Sequence, residues 1–512
     1  MSTLPATRTR RARSSGRRAK TAARAPRQRR LRDLSDIRRF FHRNEVPYYF
    51  VSATNFNVIN MDEWVRGFRF INSIDCFDGH HPSVFVPRAI HRRDFASLEE
   101  INNYLLEHKE VRDYIRKRGP GGKAVFLFFD EKTEMLCEEL GLEICFPPAK
   151  LRRAVDDKVA ATRIGNRAGV ASVPNVLVKV DSYQTLRKAA GHLGDNLVIQ
   201  SPFGDSGHTT FFVSNEADWN RCADEVVREP QVKVMKCIRC RGAALEACVT
   251  RHGAIAGPLM TELIGFPELT PYRGGWCGNE VFADAFSRDV RDCARAAAFR
   301  FGEELRRMGY RGYFELDFLS DLDSGQVYLG EVNPRITGAS SMTNLAAFAH
   351  ADAPLFLFHL LEWSGVDFEL DVEELNNRWS DPDNIDSWSQ LVLKYTDDGV
   401  EQITKAPRSG VWRMVRDGHI EFVRVQTHRR TVVSESEAFF LRITGLGDYL
   451  YRGADLGILI TPGRLMDTHH QLTDRAKAWI RGVRGQYQTR SAQPSQAPAH
   501  AHTADVAGFK LL

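Results

Sequence analysis

Two stretches of this chain, Gly309-Tyr-Arg-Gly-Tyr-Phe-Glu-Leu-Asp-Phe318 and Glu331-Val-Asn-Pro-Arg335, decide its fold. Successive side chains of a β-strand point to opposite faces, so Glu315 and Asp317 share one face of the first strand, and its aromatic and aliphatic residues share the other. The connection Asp321-Leu-Asp-Ser-Gly325 has the composition of a turn. The sequence therefore predicts an antiparallel hairpin with one polar and one apolar face.

The second strand of this hairpin repeats the alternation with Glu331, Asn333 and Arg335. Carboxylates, a carboxamide and a guanidinium thus converge on one small patch. Such oxygen ligands suit Mg²⁺, which takes one or two protein carboxylates and completes its octahedron with water and substrate phosphates. An ordinary solvated face would explain a random hairpin, but the order acid, turn, then acid-x-Asn-x-Arg favours a metal site.

The hairpin resembles the magnesium-binding signature of the ATP-grasp superfamily. The resemblance implies that Asp317, Glu331 and Asn333 hold Mg²⁺ on the phosphates of ATP, with Mn²⁺ as an alternative metal. It also implies that Arg335 is catalytic and steadies the substrate or an acyl-phosphate intermediate. Glu315 shares this face of the strand but does not match the motif. It is therefore a candidate to support the metal ligands without binding the metal itself.

The segment Ser201-Pro-Phe-Gly-Asp-Ser-Gly-His-Thr-Thr210 lies between two predicted strands. Glycines free the backbone to turn N–H groups toward an anion, and hydroxyls add donors. Alone this composition is also that of an ordinary hairpin turn. In its position it resembles the phosphate-covering loop of the ATP-grasp lid, which implies ATP contacts from Gly204, Ser206, Gly207 and His208.

Two lysines usually accompany that loop in the family. The first matches Lys158, inside a predicted helix from Ala154 to Ala168, but Gln200 occupies the position of the second. A carboxamide can donate a hydrogen bond to phosphate but lacks the point charge of an ammonium. Either His208 or another cation compensates, or ATP binds weakly.

Three further contacts follow from the resemblance. Lys236 and Ile238 lie where backbone groups of an adenine-binding hinge are expected, and Glu246 is placed to accept from the ribose. The long Gly-rich loop that carries Arg273 and Trp276 is a candidate for substrate contact, since loops on rigid elements often carry recognition. A packed loop without a ligand is the alternative.

At 512 residues the chain exceeds one compact core, and about three folded domains are expected. The resemblance implies an α/β (α+β) architecture, an ATP-grasp fold with a small α/β domain before it. The Arg-rich start and the polar end lack the apolar side chains that offset ordering entropy, so both are predicted to be disordered. The predicted segments are a disordered arm (1–32), an N-terminal α/β domain (33–150), an ATP-grasp core (151–365) with its lid at about 173–245, a C-terminal mixed α/β module (366–487) and a disordered tail (488–512).

Net charge and cysteine content indicate the classes of binding partner and the cellular compartment that the sequence favours. The net charge is +5, but the first 32 residues hold eleven Arg and one Lys without an acid, so the remaining chain carries −7. The basic arm leaves nucleic acid or an anionic partner open, and a misplaced start codon would also produce it. An odd number of cysteines, nine, favours a reducing compartment and predicts a cytoplasmic protein. The sequence contains no run of eighteen apolar residues, so no membrane-spanning helix is predicted.

The leading functional hypothesis is an ATP-grasp carboxylate–amine ligase that forms an acyl phosphate and releases ADP and phosphate. The loop at 271–276, Pro-Tyr-Arg-Gly-Gly-Trp, resembles the ATP-grasp peptide ligases of peptide natural-product biosynthesis, which implies amino-acid or peptide substrates. The family resemblance is compatible with a homodimer. The alternatives are a carboxylase similar to biotin carboxylase and a degenerate ATP-binding scaffold, which Gln200 favours and the intact metal residues oppose.

Overall fold

The computed structural model describes residues 30–88, 95–204, 209–345, 353–416 and 418–493. Its first layer is a five-stranded parallel sheet in the order β3-β2-β1-β4-β5. The strands are β1 (Tyr48–Ser52), β2 (Phe68–Asn72), β3 (Val84–Phe85), β4 (Lys123–Phe126) and β5 (Glu143–Ile144). Its helices are α1 (Leu34–His42), α2 (Met61–Trp64), α3 (Leu98–Glu107), α4 (Lys109–Arg116) and α5 (Glu131–Glu139).

A second, smaller sheet has four antiparallel strands in the order β6-β9-β7-β8. These are β6 (Asn175–Val178), β7 (Leu197–Gln200), β8 (Thr210–Val213) and β9 (Val232–Lys236), with helices α8 (Tyr183–Ala190) and α9 (Glu216–Arg228). The helix predicted from Ala154 to Ala168 is divided by an extended residue, Asp157, into α6 (Ala149–Asp156) and α7 (Lys158–Arg167). The continuous helix was therefore a wrong prediction, because the Asp157 carboxylate caps a new helix start.

The third sheet has ten strands in the order β14-β13-β10-β11-β12-β15-β21-β19-β17-β18. Its first half comprises β10 (Cys240–Thr250), β11 (Gly253–Ile264), β12 (Trp276–Val281), β13 (Gly312–Asp321) and β14 (Val327–Asn333). Its second half comprises β15 (Trp388–Lys394), β17 (Gly410–Arg416), β18 (His419–Arg424), β19 (Glu437–Arg442) and β21 (Asp455–Pro462). The predicted core and the predicted C-terminal module therefore share one sheet, joined where β12 pairs with β15.

A three-stranded sheet, β20-β16-β22, completes the C-terminal part with β16 (Glu401–Lys405), β20 (Tyr449–Leu450) and β22 (Gln488–Ser491). The remaining helices are α10 (Arg288–Arg307), α11 (Ser340–Leu345), α12 (Leu355–Glu362), α13 (Val372–Ser380) and α14 (Asp474–Arg484). The tail was predicted to be disordered from Gln488, and this start is wrong because these residues pair with β16. The other segment boundaries stay predictions, and the arm up to residue 29 and the tail from 494 lie outside the described residues.

Apolar packing holds the hairpin of β13 and β14 in place. Phe314, Leu316 and Phe318 are buried against Phe301 and Leu305 of α10. The opposite face of the same strands carries the polar residues, as the alternation predicts. Among the described residues, no helix is long and apolar enough to cross a bilayer.

The buried His359 of α12 should make the stability of the folded chain depend on pH. Its ring is fully buried, its Nδ1 accepts from the Tyr313 backbone N–H at 3.0 Å, and burial lowers its pKa to about 3. Because the folded pKa lies below the ordinary 6.5, stability is lost as the pH falls below 6.5. Between pH 7 and pH 5 the protonation of this residue in the unfolded chain should lower the free energy of unfolding by about 2 kcal/mol.

Denaturant unfolding of the native chain and of His359→Gln at both pH values measures this contribution. The glutamine can keep an acceptor for Tyr313 but cannot be protonated, so its stability should fall less by that amount. Parallel pH curves would show that His359 is not a neutral buried ring.

Candidate active site

The hairpin brings the predicted metal ligands together. Asp317 of β13 lies opposite Glu331 of β14, and Glu315 lies opposite Asn333. Asn333 Nδ2 donates to Asp317 Oδ2 at 3.0 Å and lies 3.5 Å from Glu315 Oε1. Facing residues of adjacent antiparallel strands share one side of the sheet. The carboxamide therefore connects the two acids of β13 and orients both.

The acids of this patch lie close to one another, and Asp317 is buried among them. Asp317 Oδ1 is buried without a hydrogen-bond partner, and burial and the nearby Glu331 raise the pKa of Asp317 to about 7. Within the described residues, no group of three or more His, Cys, Asp or Glu side chains is placed to hold a metal ion. A cation here would instead use Asp317, Glu331, Asn333 and phosphate oxygens, a donor set that fits Mg²⁺.

A bulge at Gly330 shapes the wall beside these ligands. Asp317 pairs with Glu331 but Phe318 pairs with Leu329, so Gly330 has no partner on β13. A Cβ at this position would lie 3.1 Å from the Asp317 carbonyl oxygen, which makes a side chain tight there. A bulge leaves its extra residue unpaired, and bulges are frequent next to active sites. The Gly330 carbonyl is thereby free to accept from outside the hairpin.

Lys158 reaches the metal patch from the start of α7. The Asp157 carboxylate accepts from the backbone N–H of Val159 and Ala160, which starts the helix at this lysine. Lys158 Nζ donates to the Gly204 carbonyl at 2.6 Å and forms an ion pair with Glu331 Oε2 at 3.2 Å. This buried ammonium therefore connects the phosphate-loop region to the metal patch.

Gln200 lies in the same wall at the end of β7. Its side chain is buried, its Nε2 lies 3.4 Å from Thr210 Oγ1, and its Oε1 has no hydrogen-bond partner. Lys233 of the adjacent β9 lies directly across from Gln200. The sequence reasoning placed this lysine in a strand but did not assign it to the site, because strand order and register decide which side chains adjoin.

Glu262 of β11 is a further residue that sequence reasoning missed. It contributes to the cavity wall, and burial together with the charges of Asp317 and Glu331 raises its pKa well above the ordinary range. Its strand partner, Asn279 of β12, is buried with its Nδ2 unpartnered and its Oδ1 accepting from Trp276 Nε1 at 3.1 Å. In the sequence, Glu262 is marked only by the alternation of polar and apolar residues along β11.

These side chains surround a cavity of about 610 Å³, which is lined by residues of the four-stranded and ten-stranded sheets and of segments that connect the strands of these two sheets and of the five-stranded sheet. The first sheet and its helices contribute an apolar part of the wall, and the four-stranded sheet covers the opposite side. The lining includes Asn57, Leu98, Glu99, Leu127, Phe128, Lys158, Gln200, Phe203, Gly204, Met235, Glu262, Trp276, Asp317, Leu319, Glu331, Asn333 and Arg335. The metal patch is therefore the polar floor of a partly enclosed cavity.

Arg335 contributes to the lining of this cavity. Its guanidinium carbon lies 4.3 Å from the centre of the Phe128 ring, and its Nε is buried without a hydrogen-bond partner. Asn57 Nδ2 donates to the Thr337 carbonyl at 2.8 Å, which fixes the segment after Arg335 against the first domain. A planar cation held on a ring leaves its fork free to bind an anion.

An apolar patch at the other end of the cavity lies near the predicted adenine hinge. Val198 and Met235 are buried there, and Ile238 and Leu319 pack against them. The Lys236 side chain is exposed, and its backbone N–H donates to the Pro174 carbonyl at 3.0 Å. The patch supports an apolar adenine slot near Ile238, while contact of Lys236 with the base stays a prediction.

Glu246 does not lie where a ribose could reach it, so that prediction was wrong. The side chain is fully buried and accepts from the hydroxyl groups of Tyr313, Thr337 and Ser340. It lies opposite Glu315 on the same side of the sheet. Because α11 and the preceding turn cover this part of the sheet, Glu246 supports the hairpin from the interior rather than lining the cavity.

The two residues of the predicted substrate loop separate in the structure. Trp276 lines the cavity and its ring packs on Gly338, whereas Arg273 is exposed and does not contribute to the cavity lining. Arg273 was predicted to contact the substrate, and the described conformation does not place it there. Three phosphate-loop residues, Ser206, Gly207 and His208, lie outside the described residues, and their roles stay predictions.

The close packing of Trp276 on Gly338 predicts a local stability effect. A Cβ at Gly338 would lie 2.3 Å from the Trp276 ring, so Gly338→Ala should destabilise the chain by about 1–3 kcal/mol. Gly274→Ala is the matched control, since a Cβ there meets no atom within 4 Å. Equal unfolding free energies of the two variants would contradict this placement of the Trp276 ring.

No protein-family model matches the chain, and the comparison with curated proteins gives no match. Solved structures do match. Biotin carboxylase from Campylobacter jejuni aligns with a TM-score of 0.59 and 13% identity over 87% of this chain and 92% of that chain. The biotin carboxylase domain of Hydrogenobacter thermophilus 2-oxoglutarate carboxylase, in complex with MgADP and bicarbonate, aligns with a TM-score of 0.57 and 13% identity over 87% and 91%.

N5-carboxyaminoimidazole synthase from Aspergillus clavatus, in complex with ADP and 5-aminoimidazole ribonucleotide, aligns with a TM-score of 0.51 and 12% identity over 85% of this chain and 97% of that chain. At such identities the likeness concerns the fold, and it extends well beyond the hairpin motif into the sheets before and after it. The chain therefore has the α/β architecture of the ATP-grasp fold, as its hairpin predicts.

Proposed function

We propose that this protein is an ATP-dependent ligase that joins a carboxylate to an amine through an acyl phosphate. The observation that carries the proposal is the convergence of Asp317, Glu331, Asn333 and Arg335 on the floor of one cavity, with Lys158 paired to Glu331. Phosphoryl transfer depends on positioning and charge neutralisation more than on a protein nucleophile. This set of side chains supplies both.

Each residue has a distinct role in this proposal. Asp317, Glu331 and Asn333 would hold Mg²⁺, which would neutralise phosphate charge when bound. Lys158 lies between the Gly204 carbonyl and Glu331, where an ammonium can contact a phosphate that enters under the loop. The apolar patch of Val198, Met235, Ile238 and Leu319 would receive adenine.

The reaction proceeds in two steps. A carboxylate oxygen of the substrate attacks the γ-phosphorus, the bond from that phosphorus to the bridging oxygen breaks, and ADP leaves with the electron pair. The amine nitrogen then attacks the acyl carbon, the carbon–oxygen bond to phosphate breaks, and the amine loses a proton. Arg335 would neutralise charge on the acyl phosphate; its Nε has no hydrogen-bond partner, and the residue lines the same cavity as the metal patch.

The cavity wall favours an organic acid over bicarbonate. Leu98, Leu127, Phe128 and Trp276 form an apolar surface near Arg335. Binding sites for small molecules are lined mainly by apolar side chains with a few polar groups that fix orientation. Bicarbonate offers no hydrocarbon part to such a wall. The wall therefore supports an amino acid or peptide as the acyl donor, with an amide bond as the product.

Product analysis with Mg-ATP tests the proposal. The native chain is incubated with amino acids and short peptides, singly and in pairs, with bicarbonate alone as a separate arm. ADP and phosphate should form only when a carboxylate and an amine are both present, and ¹⁸O in the donor carboxylate should appear in the phosphate. ADP formed with bicarbonate alone would establish the carboxylase alternative, and AMP would overturn the acyl-phosphate mechanism. ATP binding without turnover across the panel would favour the scaffold.

A further inference from the structure

Lys233 occupies a position whose chemistry the proposed reaction does not use. It lies in β9 directly across from Gln200, the last residue of β7. Directly opposed residues of antiparallel strands project to the same side of the sheet. Gln200 is part of the cavity wall. The Lys233 side chain therefore leaves the sheet beside Gln200, on the side that faces the cavity.

The ammonium of Lys233 is buried beside the metal patch. Its side chain is 1% exposed, and its Nζ donates to the Gly330 carbonyl at 3.3 Å. No ion pair within 4.0 Å is formed by this lysine with any of the described residues. Burial of an ammonium without an anionic partner is expensive, and buried charges in proteins are usually paired with an opposite charge.

The contacts of Lys233 locate that anion. Gly330 is the bulged residue next to Glu331, and its carbonyl lies in the cavity wall. Glu331 is already paired with Lys158 at 3.2 Å, so it does not neutralise two ammonium groups by itself. A triphosphate entering between the loop and the metal patch would bring the missing negative charge. The flexible four-carbon stem of a lysine lets Nζ leave a carbonyl for a phosphate oxygen.

We propose that Lys233 supplies the phosphate-binding cation that Gln200 does not, so that the positive charge has moved by one strand within the lid sheet. The inference rests on the proposed binding of ATP in this cavity. Gln200 then has the complementary role of a neutral hydrogen-bonding neighbour, whose unpartnered Oε1 can accept from the ammonium or from water. The proposed ATP site thus retains two lysines, Lys158 next to Glu331 and Lys233 next to Gly330.

A charge swap across the strand pair tests this proposal. Affinities for Mg-ATP and for adenosine are measured by calorimetry for the native chain, Lys233→Gln and the double variant Gln200→Lys/Lys233→Gln. Lys233→Gln should weaken ATP binding by about 10- to 100-fold while the adenosine affinity stays within about twofold, because a charge-assisted hydrogen bond to phosphate is lost. The double variant returns an ammonium to the adjacent strand and should recover most of the ATP affinity. Lys188→Gln, an exposed lysine of α8 in the same lid, is the matched control.

The outcomes separate this inference from the proposed function. Equal ATP affinities of the native chain and Lys233→Gln would overturn the role of Lys233 and leave the ligase proposal intact. Equal losses for ATP and adenosine, without rescue by the swap, would show a structural lysine and would also overturn it. Failure of the native chain to bind ATP would overturn both. ATP binding that depends on Lys233, without ligase turnover, would support the inference and reject the proposed reaction.

Discussion

Replacement of Glu331 by glutamine is expected to lower ATP-dependent turnover by about 100-fold or more, since one electrostatic group of this kind is commonly worth that much. Glu331 is one of the two carboxylates of the metal patch and the ion-pair partner of Lys158 at 3.2 Å. The amide keeps the size of the side chain but removes the charge that would bind Mg²⁺. Lys158 would at the same time lose its partner and compete with the metal for the phosphates.

Turnover of Glu331→Gln is measured over a range of Mg²⁺ concentrations. The apparent Mg²⁺ requirement should rise together with the loss of turnover, which a defect in folding would not produce. Glu225→Gln, an exposed glutamate of α9, provides the matched control for the same chemical change. Unchanged turnover and an unchanged Mg²⁺ requirement would show that the hairpin does not hold the metal.

The sequence predicted the hairpin well because its information is local. Alternation along each strand placed Glu315 and Asp317 on one face and Glu331 and Asn333 on one face, and a turn composition closed the pair, so a shared polar patch followed without long-range knowledge. The register that sets Asp317 opposite Glu331 comes from the structure. The apolar face was equally readable, since Phe314 and its neighbours pack on α10. The fold class followed from this motif and its family.

The rest of the site depends on contacts that a single sequence does not encode locally. Lys233 and Gln200 are far apart in the chain and meet only through the strand order β6-β9-β7-β8. Glu246 was assigned to the ribose from the family resemblance, but the turn at Thr337 and α11 cover it. The large sheet continues across the predicted domain boundary because β12 and β15, which lie on either side of that boundary, pair with each other. Neighbouring elements, rather than periodicity, decide which polar face is solvated, buried or functional.

Replacement of Arg335 by lysine is expected to lower ligation by about 100- to 1,000-fold while the affinity for Mg-ATP changes by less than about threefold. Lysine keeps the positive charge, but it has no planar fork for a carboxylate or acyl phosphate, and it cannot stack as a plane on Phe128, whose ring lies 4.3 Å from the guanidinium carbon. The loss should therefore appear in the steps that follow ATP binding. Calorimetric ATP affinity and the rate of amide formation separate these two effects.

Arg311→Lys is the matched control for this change, because the Arg311 guanidinium also stacks on an aromatic ring, 3.7 Å from the centre of Trp363, but contributes nothing to the cavity lining. Its turnover should stay within about twofold of the native value, since exposed substitutions away from a site have small effects. A proportional loss of ATP affinity in Arg335→Lys would place Arg335 on the nucleotide instead of the acyl group. Full activity of Arg335→Lys would mean that charge alone suffices and that the stacked guanidinium plane has no role in the reaction.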